Sequence, residues 1–491
     1  MKKSTKKLLN AAPVVKHLSE PGVLADNKLE MAIRQLGFVK LLTQADFRKQ
    51  KGDELLQVMF APIMWPLLDV RSISNFCGKL ISVFIVGGSN VLYDFQKKED
   101  LKWRKLRQLT AKRIYIKNGF ADEKIKAFVF DDTLKARRGK KVEGTSTHFD
   151  HTANRHIKGQ QVLEMGLVSP RGYIPLDSQI YVGEKNRVER KHSFKNPLSS
   201  VARDYQCALE YTKNEMLRLM LKRAIRSSFK ADYVLADAWF GNKGNIKSAI
   251  LSKSTGIFRM KKTGMSYRIN GKLLTAKALY HIAKLKSKAT KKQPWKTFAF
   301  EVDINLEETA NKKPRWKAVT LVFAIPKNQN NDEFALFLST DNSLSTEKIL
   351  EVYSLRWSVE VYFKEVKQYM GLLKEQTGNY ICHYMSVHLS AIRYLLFSHI
   401  FLTEGGGKFG TIRKRISDGM QMLSFATVLW ELFKALIFGS LDLFSKLLGE
   451  DLLQVIKETI DTTVVEFLES ALQLDVNSLK GEARAEKAGV L

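Results

Sequence analysis

Cysteine is nearly absent from this chain. Its three residues, Cys77, Cys207 and Cys382, are far apart and odd in number, which excludes a disulfide framework and a cysteine-rich zinc site and leaves buried free thiols as the expectation. Long apolar runs are lacking too. The greasiest stretches, Leu80 to Leu92 and Ala391 to Leu402, are short and broken by Gly or Arg, whereas a membrane span needs roughly 18 apolar residues in a row. They read as buried core, so no membrane partner is expected. The N-terminal lysines are not followed by the apolar segment and cleavage site of a secretory signal, and a cytoplasmic location is expected. A third absence is local: residues 251–300 carry thirteen Lys and Arg and no Asp or Glu. Cations so concentrated repel one another unless a polyanion meets them.

What is present points the same way. The chain is 45% hydrophobic and 10% aromatic, enough to bury sizeable cores and to exclude a mostly disordered protein. At 491 residues it exceeds one ordinary core, and three domains are expected. The net charge of +30, from 80 Lys and Arg against 50 Asp and Glu, is beyond what solubility needs. Nucleic acid is the polyanion that fits, with strongly salt-dependent affinity as the consequence.

Patterning divides the chain. Residues 1–120 read as a helical region, with leucine-rich periodic stretches, a Gly87-Gly88-Ser89 turn and a basic segment from Val91 to Leu109. This fits a helix-turn-helix that meets phosphates and fits equally a basic helical bundle. Residues 121–248 change to short apolar runs ending in polar residues, and 249–342 form a lysine-rich, β-containing block with alternation in Phe298 to Ile304 and β-rich runs from Lys317 to Ile325 and Glu333 to Leu338. Residues 343–404 contain two long helices, 346–371 and 382–403. Past a Gly405-Gly406-Gly407 hinge, 405–491 form a helical region whose last part, from 441, has ten acidic and five basic residues, with an amphipathic stretch from Leu452 to Leu468. This end suits self-association or a helical cap. No internal repeat and no low-complexity tract interrupts the order, which reads as α/β with an extra β piece.

Three carboxylates stand out. Ala127-Phe128-Val129-Phe130 runs straight into Asp131 and Asp132, and Tyr233-Val234-Leu235-Ala236 into Asp237, where a buried strand releases its next side chain at the sheet's rim. A lone Asp there is often only a turn former. The third lies on a helix. At about 100° per residue, Tyr353, Arg356, Glu360 and Lys367 fall within an arc of roughly 60°. Leu355, Val359, Phe363, Val366 and Met370 take the adjoining arc, roughly 200–280° round from Tyr353, so one helix pairs an apolar face with a carboxylate flanked by two cations and a phenol. A solvated face of an ordinary helix looks similar; the two strand-end aspartates are what make a constellation of it. Three carboxylates suit two Mg²⁺ ions roughly 3.5–4 Å apart, which stabilise the attacking and leaving oxygens of a phosphodiester displacement. His148, His151 and His156 have no zinc-site spacing.

The spacing Tyr353, Arg356, Glu360, Lys367 resembles the Tyr-Arg-Glu-Lys signature of the insertion-sequence transposases grouped as family four, and Trp357 after Arg356 is also similar to that group. Asp131-Asp132-Thr133 followed by Arg137-Arg138-Gly139-Lys140-Lys141, and Asp237-Ala238-Trp239-Phe240, resemble the segments around that family's first and second catalytic aspartates. The similarity spans roughly residues 70 to 400. It implies an RNase H-like catalytic core interrupted by a mainly β insertion, with helical N- and C-terminal regions. It implies that Asp131, Asp237 and Glu360 are catalytic and bind two Mg²⁺, for which Mn²⁺ substitutes. Tyr353, Arg356, Lys367 and Trp357 would then hold DNA, as would Lys261 and Lys262 in the basic block. The partners implied are double-stranded DNA, both terminal inverted repeats and target, and a second copy of the chain in a homodimeric synapse, on the nucleoid of a prokaryotic cell.

Some alternatives stay open. The first aspartate is Asp131 if the pattern is Asp, any residue, then Thr or Ser, and Asp132 otherwise. Trp295 and Trp316 are either core aromatics or platforms for a base flipped near the cut. A DNA-binding descendant without cleavage, and a nuclease that cuts without joining, are the rival functions.

Overall fold

The computed structural model describes residues 28–48, 52, 55–68, 70, 72–79, 81, 85, 87–150, 153–289, 295–307, 313–327, 333–405, 408–444 and 449–472. His151, Gly406 and Gly407 lie outside the described residues. The chain divides into two compact units, one containing residues up to Lys98, Gln368–Gln376 and everything from Leu396, the other Glu99–Lys367 with Thr377–Leu395.

The first unit is helical among its described residues. It begins with α1 (Lys28–Gln35), α2 (Phe38–Gln44), α3 (Leu55–Met64), α4 (Ile73–Lys79) and α5 (Gly88–Gln96). Its C-terminal part pairs α14 (Phe409–Asp442) with α15 (Glu450–Leu472). Charge joins these two, because Asp461 accepts from Trp430 Nε1 at 3.2 Å and from Lys434 Nζ at 2.5 Å. The amphipathic stretch expected from Leu452 is thus a helix whose acidic face meets cations of its own chain.

The second unit is a mixed α/β structure around one large sheet. It contains α6 (Trp103–Lys117), β1 (Ala127–Ala136), β2 (Ser146–Asp150), β3 (Arg155–Ser169), β4 (Gly172–Tyr181), α7 (Ser200–Glu210), α8 (Lys213–Arg226), β5 (Tyr233–Ala236), α9 (Lys243–Leu251) and β6 (Thr255–Met260). β7 (Ser266–Ile269), β8 (Lys272–Thr275), α10 (Ala276–Lys286), β9 (Lys288–Ala289), β10 (Trp295–Asn305), β11 (Trp316–Pro326) and β12 (Ala335–Ser339) follow. The sheet order is β2-β3-β1-β5-β6-β12-β11-β10-β7-β8, with β4 on β3 and β9 on β10. β3 pairs antiparallel with both β1 and β4, while β1, β5 and β6 run parallel. Parallel strands covered on both faces need continuous apolar runs, which is what Phe128-Val129-Phe130 and Val234-Leu235-Ala236 supply, all buried.

Two expectations change here and a third, for the helix over 382–403, holds. The basic segment from Val91 to Leu109 is not one helix: α5 ends at Gln96 and α6 starts at Trp103 in the other unit. Arg104 and Arg107 of α6 turn inward to buried acids. The helix expected over 346–371 is broken into α11 (Thr346–Ser354) and α12 (Trp357–Gln368). At the break, Leu355, Arg356, Ser358 and Val359 each donate to the carbonyl three residues back, which tightens the turn. Last, the apolar runs near Ala391 belong to one helix, α13 (Tyr380–Thr403), whose apolar window has a mean hydropathy of 1.3 and is 89% buried inside the protein. That hydropathy serves packing.

Candidate active site

β1 and β5 are parallel and in register, with Phe130 opposite Ala236. The residues that follow, Asp131 and Asp237, therefore emerge side by side. β5 stops at Ala236, whereas β1 continues to Ala136. The rim that frees Asp131 is thus made by the end of its neighbour, not by its own end as the apolar run suggests. After Asp237 the chain turns tightly. Asp237 Oδ1 accepts from the Trp239 N–H at 3.0 Å, and Phe240 N–H donates to the Asp237 carbonyl at 3.1 Å. Gly241 then passes so close to β6 that a Cβ there would lie 2.4 Å from the Arg259 carbonyl oxygen. Asn242 caps α9, and its Nδ2 donates to Asn214 in the first turn of α8 at 2.9 Å.

The third carboxylate arrives from the broken helix. Arg356 Nη1 donates to Asp131 Oδ2 at 2.8 Å, and Arg356 Nη2 donates to Glu360. One guanidinium therefore bridges two of the expected catalytic carboxylates, with only 15% of its side chain exposed. Tyr353, four residues before Trp357, packs edge-on against Phe337 at 4.8 Å. Burial raises its hydroxyl pKa to about 12, with Arg356 opposing and Asp237 adding. For Arg356, burial disfavours the charge, but Tyr353, Asp131 and Glu360 outweigh it and hold the guanidinium protonated. Asp131 is pushed up to about 7, by burial first, against the pull of Arg356 and with the help of Asp237. Asp237 is raised as well, by burial, although the Trp239 N–H and Arg356 oppose it. These are carboxylates short of positive charge.

Asp132 faces a different set. It accepts from Lys213 Nζ at 2.7 Å and from Gln161 Nε2 at 2.8 Å. Beside it, His148 Nε2 meets Ser146 Oγ at 2.8 Å, and its pKa is pushed down to about 4 by burial and then by Lys213. A neutral, hydrogen-bonded histidine here is part of a wall. His156 stacks edge-on with Phe149 at 5.4 Å. A cavity of about 1040 Å³ opens on this side, lined by Asp131, Asp132, Asp237, Lys213, Lys261 and Lys367 among others. Lys367 has its pKa lowered, by burial first and then by Lys135, with Asp150 opposing.

The sequence reading of the site is brought together in part. Asp131 and Asp237 stand side by side and Arg356 ties Asp131 to Glu360 with Tyr353 beside it; Asp131, Asp237, Lys261 and Lys367 line the cavity, whereas Arg356, Glu360 and Tyr353 do not. Trp357 is 64% exposed and does not line it, nor does Lys262, whose ammonium sits over Phe334. Trp295 and Trp316 lie on the β10–β11 ladder, Trp316 beneath Arg268 at 3.9 Å, and neither lines the cavity. Two features were missed as site residues. Trp239, 51% exposed, has Lys261 Nζ 4.5 Å and Lys213 Nζ 5.2 Å from its ring centroid. Lys213 had a readable signal, since Thr212-Lys213-Asn214-Glu215 is a capping box that starts α8 at the cavity.

The sequence model of one family, described as DDE superfamily endonuclease, matches residues 70–321, just over half of the chain. The chain belongs to the DDE endonuclease superfamily. The matched span of this DDE endonuclease contains Asp131 and Asp237 and stops short of α11, so Glu360 is joined to the site by its contact through Arg356 rather than by the match. A comparison with curated proteins finds no match to the chain.

Whether carboxylates can hold metal depends on their chemistry and on what they already bind. Hard divalent ions prefer carboxylate oxygen, and a cation already bridges Asp131 and Glu360 in the form of the Arg356 guanidinium. Among the described residues no three acidic, His or Cys side chains close on one point. In donor chemistry alone, oxygen-only carboxylates suit a hard ion such as Mg²⁺ or Mn²⁺.

Proposed function

We propose that this DDE endonuclease is a transposase, cutting DNA at the ends of an insertion sequence and joining the freed 3′ ends to target DNA. The observation that carries the reading is the in-register pair Asp131 and Asp237 at the rim of two parallel strands, with Glu360 tied to it through Arg356. Strand order supports an RNase H-like core. β4, β3 and β1 are antiparallel, and β1, β5 and β6 parallel. The β insertion expected over 249–342 would then begin only after β6, which pairs with β5, and run from β7 to β12 with a helix, α10, inside it. Residues 1–120, of which Glu99 onward belongs to the sheet unit, and residues 405–491 are the expected DNA-binding and dimerising regions.

In this reading Asp131, Asp237 and Glu360 would hold two Mg²⁺ ions, which Mn²⁺ can replace, and bound metal supplies charge stabilisation at the attacking and leaving oxygens. The chain's own residues do the rest. Arg356 has the planar fork that grips a phosphate in two places, and Lys367 and Lys261 add point charges along the cavity. Tyr353 keeps its proton at any ordinary pH and so serves as a hydrogen-bond donor. Trp239 offers an unstacked base a π face, and Trp357 and Lys262 would touch DNA further from the cut. Two duplexes, the terminal repeats and the target, meet a homodimer on a prokaryotic nucleoid. Asp131 is preferred to Asp132 because it emerges beside Asp237 and is tied through Arg356 to Glu360, whereas Asp132 faces Lys213 and Gln161.

The test is Mg²⁺-dependent cleavage and joining of DNA carrying the ends that flank the gene, scored separately for cut and joined products. Glu360→Gln is expected to abolish both while leaving DNA binding intact. If the variant cuts as well as the wild type, the carboxylate assignment is wrong; if the wild type cuts and never joins, the protein is a nuclease.

A further inference from the structure

Arg356 is a poor neighbour for a metal site. Its two Nη atoms engage Asp131 and Glu360, the oxygens that a divalent ion would use. The side chain is 15% exposed, so water and salt screen the contacts weakly. A guanidinium does not lose its proton in a protein, and it leaves such a clamp only for a better anion. A DNA phosphate is one, because it offers the same two-pronged acceptor geometry.

We propose that Arg356 is a latch that bridges Asp131 and Glu360 in the DNA-free protein and is drawn off by a DNA phosphate, so that the metal site is completed only on DNA. The inference rests on the metal-site reading of Asp131, Asp237 and Glu360 given above. The geometry makes the exchange a local one. Arg356 sits in the tightened turn between α11 and α12, four residues before Glu360, so the guanidinium can swing without moving either aspartate, which are held on β1 and in the Asp237–Phe240 turn. Linkage then requires reciprocity: DNA tightens metal binding by the factor by which metal tightens DNA binding, through a residue that touches both. A nuclease so wired is kept from assembling its site away from its substrate.

The experiment is Mn²⁺ binding to the full chain, followed by electron paramagnetic resonance at pH 8.5 with and without a duplex of the flanking ends, with the duplex alone subtracted. Wild type is expected to bind Mn²⁺ about ten-fold more tightly with DNA than without it, within the usual range of such couplings. Arg356→Gln should bind at least that much more tightly without DNA, and should gain little when DNA is added. Arg356→Lys keeps the charge but has no fork to span two carboxylates, so its DNA-free affinity should also rise. Arg171→Gln removes a half-exposed cation that pairs with Glu123 outside the cavity and should change affinity little. The latch is overturned if Arg356→Gln and Arg356→Lys bind Mn²⁺ no better than wild type, or if Arg171→Gln gains as much as they do. If Asp131→Asn binds Mn²⁺ as wild type does, the metal-site reading itself fails.

Discussion

Two clusters of arginine and carboxylate lie in the sheet unit, and they are built to opposite ends. In the inner one, Arg104 donates to Asp177 and Asp204, Arg107 to Glu164 and Ser178, and Arg223 to Asp177. Three cations meet three anions. Burial alone would push Asp177 up, yet Arg223 and Arg104 together hold it below the usual carboxylate range. At the rim, the Arg356 guanidinium joins Asp131 and Glu360 with Asp237 beside them, and burial raises Asp131 and Asp237 just as it raises Glu164, to about 7, and Asp204 in the inner cluster. The clusters therefore differ in how many cations they pair, not in the direction of their carboxylate shifts: the inner one gives each anion an arginine, whereas the rim has one arginine bonded to two of its three carboxylates. The clusters are also neighbours, because Asp131 pairs across the strands with Glu164, and Tyr362 of α12 reaches toward Glu164 at 3.5 Å.

Substitutions should separate them. Asp237→Asn is expected to lower the cleavage rate by about three orders of magnitude, since metal-assisted charge stabilisation contributes several kcal/mol. Its urea midpoint should not fall, because a repulsion on Asp131 is removed; a variant that unfolds easily and cuts normally when folded would reverse the assignment of the two clusters. Arg107→Met should do the converse, costing about 3–5 kcal/mol of stability by stranding Glu164. Adding Glu164→Leu should recover much of that loss, and the denaturation midpoints of the single and double variants check both statements.

Acidity sharpens the contrast. The folded Asp131 carboxyl, at about 7 against an ordinary 3.8, holds a proton that the unfolded chain gives up. Between those values the folded state binds more protons, so this group's contribution makes stability fall as pH rises through the window. Cation binding has the opposite slope, because the carboxylate must be ionised, and Mn²⁺ affinity should drop as pH falls through about 7. Melting temperatures of wild type and Asp131→Asn should converge toward pH 4 and separate toward pH 7, with the wild type lower. Parallel curves would mean that Asp131 titrates normally.

Much of this site was legible because strands and their ends are local. β5 is the apolar run Tyr233–Ala236 and no more, and Arg356 meets Glu360 four residues on although the helix expected there is broken. What was not legible depends on neighbours. The sequence gives no sign that β1 runs six residues past Phe130, because its continuation, Asp131 to Ala136, is polar and is stitched to β3. Nor does it show that Arg104 and Arg107 point inward, since basic residues on a periodic helix look the same whether they meet phosphate or Asp177. The choice between Asp131 and Asp132 is likewise a matter of strand alternation against partners that lie far away in sequence, Arg356 on one side and Lys213 on the other.

Trp239 belongs to neither cluster and tests what the rim is for. An indole left 51% exposed is tethered to Asp237 by its own backbone N–H, with the Lys261 and Lys213 ammoniums 4.5 and 5.2 Å from its ring centroid. The inner cluster has no exposed aromatic of this kind, since Tyr380 and Tyr362 beside it are buried. A base stacked on an aromatic is worth roughly 1–3 kcal/mol by alanine substitution, so Trp239→Ala should weaken binding of the flanking-end duplex by about ten-fold and Trp239→Phe by much less. Placing 2-aminopurine at each position around the cut locates the contact, as the emission change at one position should vanish with Trp239→Ala and persist with Trp239→Phe. An unchanged signal and affinity in Trp239→Ala would mean that the exposed ring only shields Asp237 from water, and the rim cluster would then meet DNA through phosphates alone.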